Sequence, residues 1–319
     1  MTFWIILALL GAAFWLGLRL HHLFEGEWLP HDLWREFRLS RRKLSELDAR
    51  WAQDTDRSDL VVTLTTTPSR IGLLEPVLKS LLDQTRPPAR IILNVPDFSI
   101  RENVAYAIPE SLSQLKSLDI RRTADLGPGT KLIPTLAALP ATAGIVVLDD
   151  DRIYPGWLLE HFEAAARAHA DRALTMAGWV VPENLTDEAT TLRTSWSMLP
   201  PAPIRAPRLT SPREVDVMLG VFSYLVRPGF FDLAEMQAVD DGPAALRYVD
   251  DVRTSALCRA RKFVIPAPSL SFVPWAQKAA LQSTRLGLMN RGQGGTGNRH
   301  NTIAIRHFAG RWRVGGPRR

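Results

Sequence analysis

The chain has 319 residues, of which 46% are hydrophobic and 23% charged, and this balance excludes a disordered or fibrous protein. Its formal net charge of +6 lies largely near the N-terminus and in the C-terminal arginines, and no basic stripe with interleaved aromatic residues predicts nucleic-acid binding. The single cysteine, Cys258, excludes an internal disulfide framework and a cysteine-based zinc cluster.

An apolar segment opens the chain, since Phe3 to Leu18 contains only apolar residues and glycine. With Trp4 and Trp15 near its ends, it predicts a transmembrane anchor over residues 1–20. Basic residues follow the segment and none precedes it, which predicts a single-pass protein of the inner or plasma membrane with the rest of the chain in the cytoplasm. A cleaved signal peptide, which here would lack its charged n-region, is one alternative, and a monotopic or buried helix is another.

The juxtamembrane segment, residues 21–57, contains a helical pattern. From His31 to Trp51, leucine and aromatic residues recur at roughly helical spacing with basic residues between them. This pattern predicts an amphipathic helix that either lies on an anionic membrane surface or packs on the following domain. The sequence leaves both alternatives open.

Strand and helix patterns then alternate through residues 58–275. The alternation predicts an α/β fold of Rossmann-like type with a mostly parallel central sheet. No G-x-G-x-x-G lies within this strand-and-helix layout, residues 58–275, which disfavours a dinucleotide oxidoreductase. The predicted strands are Asp59–Thr65, Arg90–Val95, Leu118–Thr123, Gly144–Leu148, Ala173–Val181 and Val215–Val226, and a helix is predicted over Ile71–Gln84.

Three consecutive carboxylates, Asp149, Asp150 and Asp151, follow the predicted buried strand Gly144–Leu148. Side chains alternate along an extended strand, so Asp149 and Asp151 are predicted to project to one side and Asp150 to the other. Carboxylates held together in a partly dry crevice repel one another, and Mg²⁺ or Mn²⁺ relieves that repulsion. The sequence therefore predicts a metal site at the carboxyl end of this strand, with a solvated acidic turn as the alternative.

A second candidate site precedes this strand. In Gly127-Pro128-Gly129-Thr130-Lys131, two glycines allow close backbone approach, and Lys131 opens the next predicted helix. A lysine at a helix N-terminus is suited to a phosphate group, although the spacing is not that of a Walker A motif. An ordinary turn with a helix cap is the alternative.

Together these motifs resemble those of GT-A-fold glycosyltransferases of the family-two-like group. The resemblance covers roughly Asp59 to Ser271 and implies a nucleotide-diphospho-sugar transferase fold. It implies that Asp149 faces the ribose or the metal and that Asp151 binds Mn²⁺ or Mg²⁺ directly. The residues it implies for binding the nucleotide-sugar are Thr65, Arg70, Asp97, Asp125, Lys131, Asp149 and Asp150.

An acidic pair, Asp250 and Asp251, opens a predicted amphipathic helix over Tyr248–Lys262. Acidic residues in a first helical turn also serve simply as partners of the helix dipole. The resemblance implies that Asp251 is the general base for the acceptor hydroxyl, which gives inversion at the anomeric carbon. Because Asp250 stands in place of the usual glutamate, either aspartate remains a candidate.

Residues 276–319 are predicted to form a flexible loop and a basic tail. Arg291–Asn298 is rich in glycine and is predicted to close over the donor. The resemblance to some GT-A enzymes makes His300 or His307 a candidate for a late metal ligand. The tail from Arg311 is predicted to be mobile.

These features predict a metal-dependent inverting glycosyltransferase. It would move a sugar from a nucleotide-diphospho-sugar to a hydroxyl of a glycan or lipid-linked acceptor, and its N-terminal helix would tether it to the membrane. The alternatives are a nucleotidyltransferase, an aspartate-nucleophile phosphatase, for which Ile153 fits the motif poorly, and a catalytically inactive membrane-tethered glycan-binding scaffold.

Overall fold

The computed structural model describes residues 1–238, 241–282 and 295–317. Short helices alternate with strands through its central part, as the sequence predicts. The α-helices are α1 (Thr2–Glu25), α2 (Leu29–Ser40), α3 (Leu44–Gln53), α4 (Glu75–Leu82), α5 (Glu110–Ser113), α6 (Ile133–Ala138), α7 (Leu158–Ala168), α8 (Leu192–Ser197), α9 (Leu233–Gln237), α10 (Asp250–Leu257), α11 (Lys278–Gln282) and α12 (His300–His307).

The strands form one large sheet and two small ones. They are β1 (Val61–Leu64), β2 (Arg90–Pro96), β3 (Phe98–Ser99), β4 (Val104–Ala105), β5 (Leu118–Thr123), β6 (Ile145–Val147), β7 (Arg172–Thr175), β8 (Ala177–Trp179), β9 (Ile204–Arg205), β10 (Arg213–Val215), β11 (Val217–Met218), β12 (Tyr224–Val226) and β13 (Arg261–Val264).

The large sheet has the strand order β10-β13-β7-β12-β6-β1-β2-β5. β10 and β12 run antiparallel to their neighbours, and the other pairs are parallel. The predicted α/β class with a mostly parallel central sheet is therefore confirmed. Because β12 is reversed, its amino end lies at the same edge as the carboxyl ends of β6 and β1. This edge brings together loops that are far apart in sequence.

The central strands are buried on both faces, which explains their nearly continuous apolar sequence. In β6, Val146 packs into the hydrophobic cluster that contains residues of α3, α4 and α7. Its neighbours Ile145 and Val147 belong to the cluster that contains residues of α6, α9 and α10. The strand period of two thus sends alternate side chains of one run into two separate cores.

The predicted strand Val215–Val226 is broken in the structure, and this prediction is wrong. β10 ends at Val215, β11 is short, and a 3₁₀ turn over Gly220–Phe222 precedes β12. The buried Asp216 separates β10 from β11, and Ser223 has a φ of 93°, which extended strands do not allow. The predicted strand Ala173–Val181 is likewise divided into β7 and β8.

The predicted juxtamembrane helix is two helices, α2 and α3, and both pack on the α/β domain. Arg35 of α2 donates hydrogen bonds to the carbonyls of Tyr154 and Ser80, at 2.7 and 3.2 Å. The indole of Trp51 in α3 donates to the Pro88 carbonyl at 2.8 Å. Of the two predicted alternatives, packing on the following domain is therefore what the inner face of this segment does.

The N-terminal helix α1 is long and apolar enough to cross a bilayer, and none of its residues is buried. It extends beyond the predicted anchor to Glu25 and ends at Gly26, whose φ of 80° favours glycine. The Gly26 carbonyl accepts a hydrogen bond from the Leu270 amide at 2.8 Å. A signal sequence near an N-terminus meets the same criteria of length and hydropathy.

The described part of the basic tail is bound to the domain, which corrects the prediction of a mobile end. The buried Asp216 carboxylate accepts hydrogen bonds from the amides of Arg313 and Val314, both at 2.9 Å, and of Gly315 at 2.8 Å. A side chain at Gly315 would meet the Val181 carbonyl. Of the predicted loop Arg291–Asn298, residues 291–294 lie outside the described residues.

We expect Asp216→Ala to destabilise the protein strongly. The carboxylate is 1% exposed and also accepts the Val181 amide at 3.0 Å, so its removal leaves several N–H groups without an acceptor. Such a loss is worth about 3 kcal/mol, or a fall in Tm of roughly 6–12 °C for a domain of this size. Thermal unfolding followed by circular dichroism measures it, with Asp171→Ala, an 83% exposed carboxylate, as the control. Equal melting temperatures for the two variants would contradict the inference that Asp216 holds the C-terminal tail on the domain.

Candidate active site

A cleft with a volume of about 640 Å³ opens at the carboxyl edge of β1, β2 and β6. Ligands of open α/β sheets gather at this edge because the connecting loops diverge there. Pro96 ends β2, Thr65 and Thr66 follow β1, and α10 begins on the facing wall. The predicted site residues that line the cleft are Thr65, Arg70, Asp125, Lys131, Asp149, Asp150, Asp151, Asp250 and Asp251.

Lys131 joins the two acidic groups of the cleft, which are the triplet Asp149–Asp151 and the pair Asp250-Asp251. Its ammonium lies 2.7 Å from a carboxylate oxygen of Asp149 and 2.9 Å from one of Asp250. Burial lowers the pKa of Lys131, but the charges of Asp149, Asp250 and Asp251 outweigh burial and hold that pKa well above its usual range. The side chain is therefore a buried cation at the point where the two acidic segments meet.

Arg70 and Thr66 hold the other two aspartates of the triplet. The Thr66 hydroxyl donates to Asp150 at 2.6 Å, and the Arg70 guanidinium donates to Asp150 at 2.9 Å. The same guanidinium reaches Asp151 at 3.5 Å. The predicted alternation of these side chains is wrong, because β6 ends at Val147 and both Asp150 and Asp151 contact Arg70.

Asp149 and Asp151 have the chemistry of hard-metal ligands. Burial, followed by repulsion from Asp149 and Asp150, raises the pKa of Asp151 to about 6, although Arg70 opposes this shift. A divalent cation relieves such repulsion, so the carboxylates present fit Mn²⁺ or Mg²⁺. Within residues 1–238, 241–282 and 295–317, no three His, Cys, Asp or Glu side chains form a ready-made metal site. A cation here would take its remaining oxygen ligands from water or substrate.

Asp251 is held beside a glycine of the 3₁₀ turn. Both of its carboxylate oxygens lie 3.1 Å from the Gly220 amide nitrogen, which donates to them. A Cβ at Gly220 would lie 2.8 Å from Asp251 and 2.9 Å from the Lys131 ammonium, so any other residue here would displace the ends of these two side chains. Burial, followed by repulsion from Asp250, raises the pKa of Asp251 to about 8, and Lys131 partly opposes that shift.

Three further predicted residues lie at or beyond the edge of the cleft. Asp125 accepts hydrogen bonds from the amides of Ile100 at 2.7 Å and Gly127 at 2.8 Å, and so orders the glycine loop. Asp97 is 85% exposed and is not among the residues that line the cleft. His300 stacks on Tyr248, a residue of the cleft wall, with the ring centroids 5.6 Å apart. Their proposed contacts with ligands stay predictions.

Sequence reasoning missed several basic residues of the cleft. Arg152 follows the aspartate triplet directly, and its guanidinium donates to the Ser271 hydroxyl at 2.8 Å and to Glu27 at 2.9 Å. Its position beside the triplet was a usable signal. Arg101, in a turn, and Arg247, at the end of a short 3₁₀ helix, also line the cleft, but no periodicity or motif marks them.

No family model and no curated protein sequence matches the chain. Solved structures similar to it include S. aureus TarS 1-349, with 14% sequence identity and a TM-score of 0.41, covering 79% of this chain and 71% of that one. TarS 1-349 in complex with UDP-GlcNAc has 15% identity and a TM-score of 0.39, and the match covers 67% of this chain and 58% of that one. 4-Diphosphocytidyl-2C-methyl-D-erythritol synthase has 12% identity and a TM-score of 0.41, and the match covers 71% of this chain and 98% of that one. Likenesses this distant assign neither a family nor an activity to this chain.

Proposed function

We propose that the protein is a metal-dependent inverting glycosyltransferase that moves a sugar from a nucleotide-diphospho-sugar to a hydroxyl of a glycan or lipid-linked acceptor. The observation that carries this proposal is the meeting of two acidic groups in one cleft. Asp149, from the loop after β6, and Asp250, from the first turn of α10, both contact the Lys131 ammonium. Glycosyl transfer needs a donor site and a base side by side, because the two substrates react at adjoining atoms.

The donor would bind along the carboxyl edge of the sheet. A cavity of about 640 Å³ has the size of a small-molecule site, and the Arg70 guanidinium offers charged donors suited to phosphate oxygens. Asp149 and Asp151 would hold Mn²⁺ or Mg²⁺, with His300 as the further candidate, and a cation held there would neutralise charge on the diphosphate. Lys131 supports this wall through its contact with Asp149.

Asp251 is the proposed base for the acceptor. As the acceptor oxygen forms its bond to the anomeric carbon, the hydroxyl proton passes to the Asp251 carboxylate. The bond from the anomeric carbon to the phosphate oxygen breaks, and the nucleoside diphosphate leaves with that electron pair. A pKa of about 8 makes Asp251 a stronger base than an exposed carboxylate. Attack opposite the leaving group inverts the anomeric configuration.

The second acidic group supports glycosyl transfer over its rivals. A nucleotidyltransferase or an aspartate-nucleophile phosphatase uses the loop after β6 but needs no carboxylate for a sugar acceptor. An inactive glycan-binding scaffold needs neither acidic group. A partly buried acidic pair, Asp250 and Asp251, in the same cleft is costly to keep near other carboxylates, and a proton-accepting role accounts for it.

We expect a nucleotide-diphospho-sugar to stabilise the protein only when Mn²⁺ or Mg²⁺ is present. Thermal shift of the full chain in detergent, with UDP-, GDP- and dTDP-sugars, measures this effect, and a CMP-sugar serves as the donor without a diphosphate. A donor at about 100 times its Kd stabilises the folded state by roughly 2.7 kcal/mol. We expect Asp151→Asn to abolish the metal-dependent part of the shift and exposed Asp171→Asn to leave it intact.

Three results would contradict this function. An equal shift with the CMP-sugar would remove the case for a diphosphate at Asp151. Absence of any shift in a protein that melts cooperatively would favour the phosphatase or the inactive scaffold. A shift with nucleoside triphosphates larger than with any nucleotide-sugar would favour a nucleotidyltransferase.

The proposed location is the inner or plasma membrane, with α1 as the anchor and the α/β domain in the cytoplasm. The apolar α1 and the basic residues after it support this orientation. A tether raises the effective concentration of a membrane-bound acceptor, which fits a lipid-linked or envelope glycan.

A further inference from the structure

Helix α2 packs on the domain with one face and exposes large apolar residues on the other. The inner face buries Asp32, Arg35 and Leu39 against the domain. On the outer face, Leu33 is 48%, Trp34 60% and Phe37 50% exposed, and the rings of Trp34 and Phe37 pack on each other. A surface helix of a globular domain normally buries its apolar stripe and exposes polar residues. The outer face of α2 is therefore an exposed apolar surface beside a helix face that is already packed.

A residue from the far end of the chain extends this surface. Trp275 is 50% exposed, and its amide and that of Ala276 donate to the Glu36 carboxylate of α2 at 3.0 and 3.1 Å. These bonds place Trp275 beside α2. We call Leu33, Trp34, Phe37 and Trp275 the α2–Trp275 patch. Two segments more than two hundred residues apart thus present their large apolar side chains together.

Cations surround the patch. The Arg41 guanidinium lies 4.9 Å from the centre of the Phe37 ring, and the Lys278 ammonium lies 5.2 Å from that of Trp275. Lys43, at the start of α3, has a 78% exposed side chain. Aromatic and leucine side chains rimmed by Lys and Arg are typical of surfaces that enter the headgroup region of an anionic bilayer. Basic side chains reach outward to phosphates while their stems cover apolar area.

The end of α1 places a membrane within reach of the patch. Three residues, Gly26 to Trp28, separate α1 from α2, and at full extension they span only about 10 Å. The hydrogen bond from Leu270 to the Gly26 carbonyl and the ion pair of Glu27 with Arg152 attach this short connection to the domain. The bilayer that an inserted α1 enters therefore lies close to α2.

We propose that the α2–Trp275 patch inserts into the headgroup region of an anionic phospholipid bilayer and forms a second membrane attachment beside α1. This contact does not depend on the proposed reaction. It nevertheless bears on the cleft, because Val273 lines the cleft and Trp275, two residues later, belongs to the patch. The carbonyl of Leu281, in the next helix, accepts a hydrogen bond from Arg70 at 3.0 Å. One segment thus runs from the membrane-facing patch to the aspartate triplet.

Site-specific fluorescence of the full chain in vesicles tests this contact. Cys258 is buried, so single cysteines introduced by Leu10→Cys, Phe37→Cys and Asp171→Cys accept an environment-sensitive dye selectively. The vesicles contain phosphatidylcholine and phosphatidylglycerol, with or without a nitroxide-labelled lipid as quencher. Position 10 reports insertion of α1, position 37 the patch, and position 171 an exposed turn. Trp34→Cys supplies a second reporter of the patch.

We expect the quencher to reduce emission several-fold more at positions 34 and 37 than at position 171. Arg41→Glu combined with Lys43→Glu should shrink the quenching at position 37 and leave that at position 10 unchanged. The proposal is overturned if position 37 is quenched no more than position 171, whatever position 10 shows. It is also overturned if emission at position 37 follows protein concentration and not lipid, because the patch would then join two copies of the chain.

Discussion

Asp251→Asn is expected to lower kcat by about 10³-fold and, above pH 8, to raise the melting temperature. The amide cannot accept the acceptor proton, but it keeps the shape of the carboxylate beside Gly220. Burial and the charge of Asp250 raise the pKa of Asp251 to about 8, so the ionised carboxylate destabilises the folded state. Replacing it with a neutral group removes this penalty. Loss of turnover together with a gain in stability distinguishes a catalytic group from a structural one.

The pH dependence of both effects follows from the raised pKa of Asp251. Its stabilising contribution is fully present below the ordinary carboxyl pKa and is lost as pH rises through about 8. We therefore expect the gain in unfolding free energy from Asp251→Asn to grow between pH 6 and about pH 8, to level off above that pH and to reach about 1–3 kcal/mol. For the parent protein, kcat/KM should rise with pH and level off above about pH 8.

Asp250→Asn is the matched control, because the neighbouring aspartate shares the same helix turn. It loses the ion pair with Lys131 but leaves Asp251 in place. We expect a smaller loss of kcat and a pH profile that rises at lower pH, because the Asp250 charge no longer raises the pKa of Asp251. If Asp250→Asn abolished turnover while Asp251→Asn retained it, the assignment of the base would pass to Asp250.

Much of the central sheet could be predicted from the sequence because its strands are buried on both faces. Continuous β-branched and leucine runs, such as Ile145–Val147, are strong signals when both faces are apolar. The segment Val215–Val226 carries the same kind of signal, yet it is broken. The causes are tertiary: Asp216 binds amides of the C-terminal tail, and Gly220 binds Asp251. No local pattern contains such contacts.

At the site, too, local motifs could be found in the sequence and tertiary contacts could not. The aspartate triplet and the pair Asp250-Asp251 could be found because they are compact motifs next to predicted elements. The sequence also singled out Lys131, but as a contact for the ribose or diphosphate. In the structure, Lys131 joins Asp149 to Asp250. This contact depends on how the end of β6 meets the start of α10, and the strand order of the sheet sets that meeting.

Lys131→Met should impair both folding and turnover, since it removes a buried cation and keeps the length of the side chain. Asp149 and Asp250 would lose a cation at 2.7 and 2.9 Å, and breaking a buried ion pair on one side costs about 3 kcal/mol. Lys131 also lowers the pKa of Asp251, so its removal should raise that pKa further. The expected result is at least a tenfold loss of kcat/KM near pH 7.5 with partial recovery at higher pH.

Lys79→Met separates this effect from the general consequence of removing a buried lysine. Lys79 is 7% exposed, much like Lys131 at 5%, but it pairs with Glu75 on its own helix. We expect Lys79→Met to change stability without moving the pH profile of kcat/KM, and Lys131→Arg to keep the profile of the parent. A Lys131→Met enzyme whose loss of activity is the same at every pH would show that the lysine acts only through folding. A shifted profile, by contrast, means that this one cation supports the donor wall through Asp149 and sets the pH at which Asp251 accepts a proton.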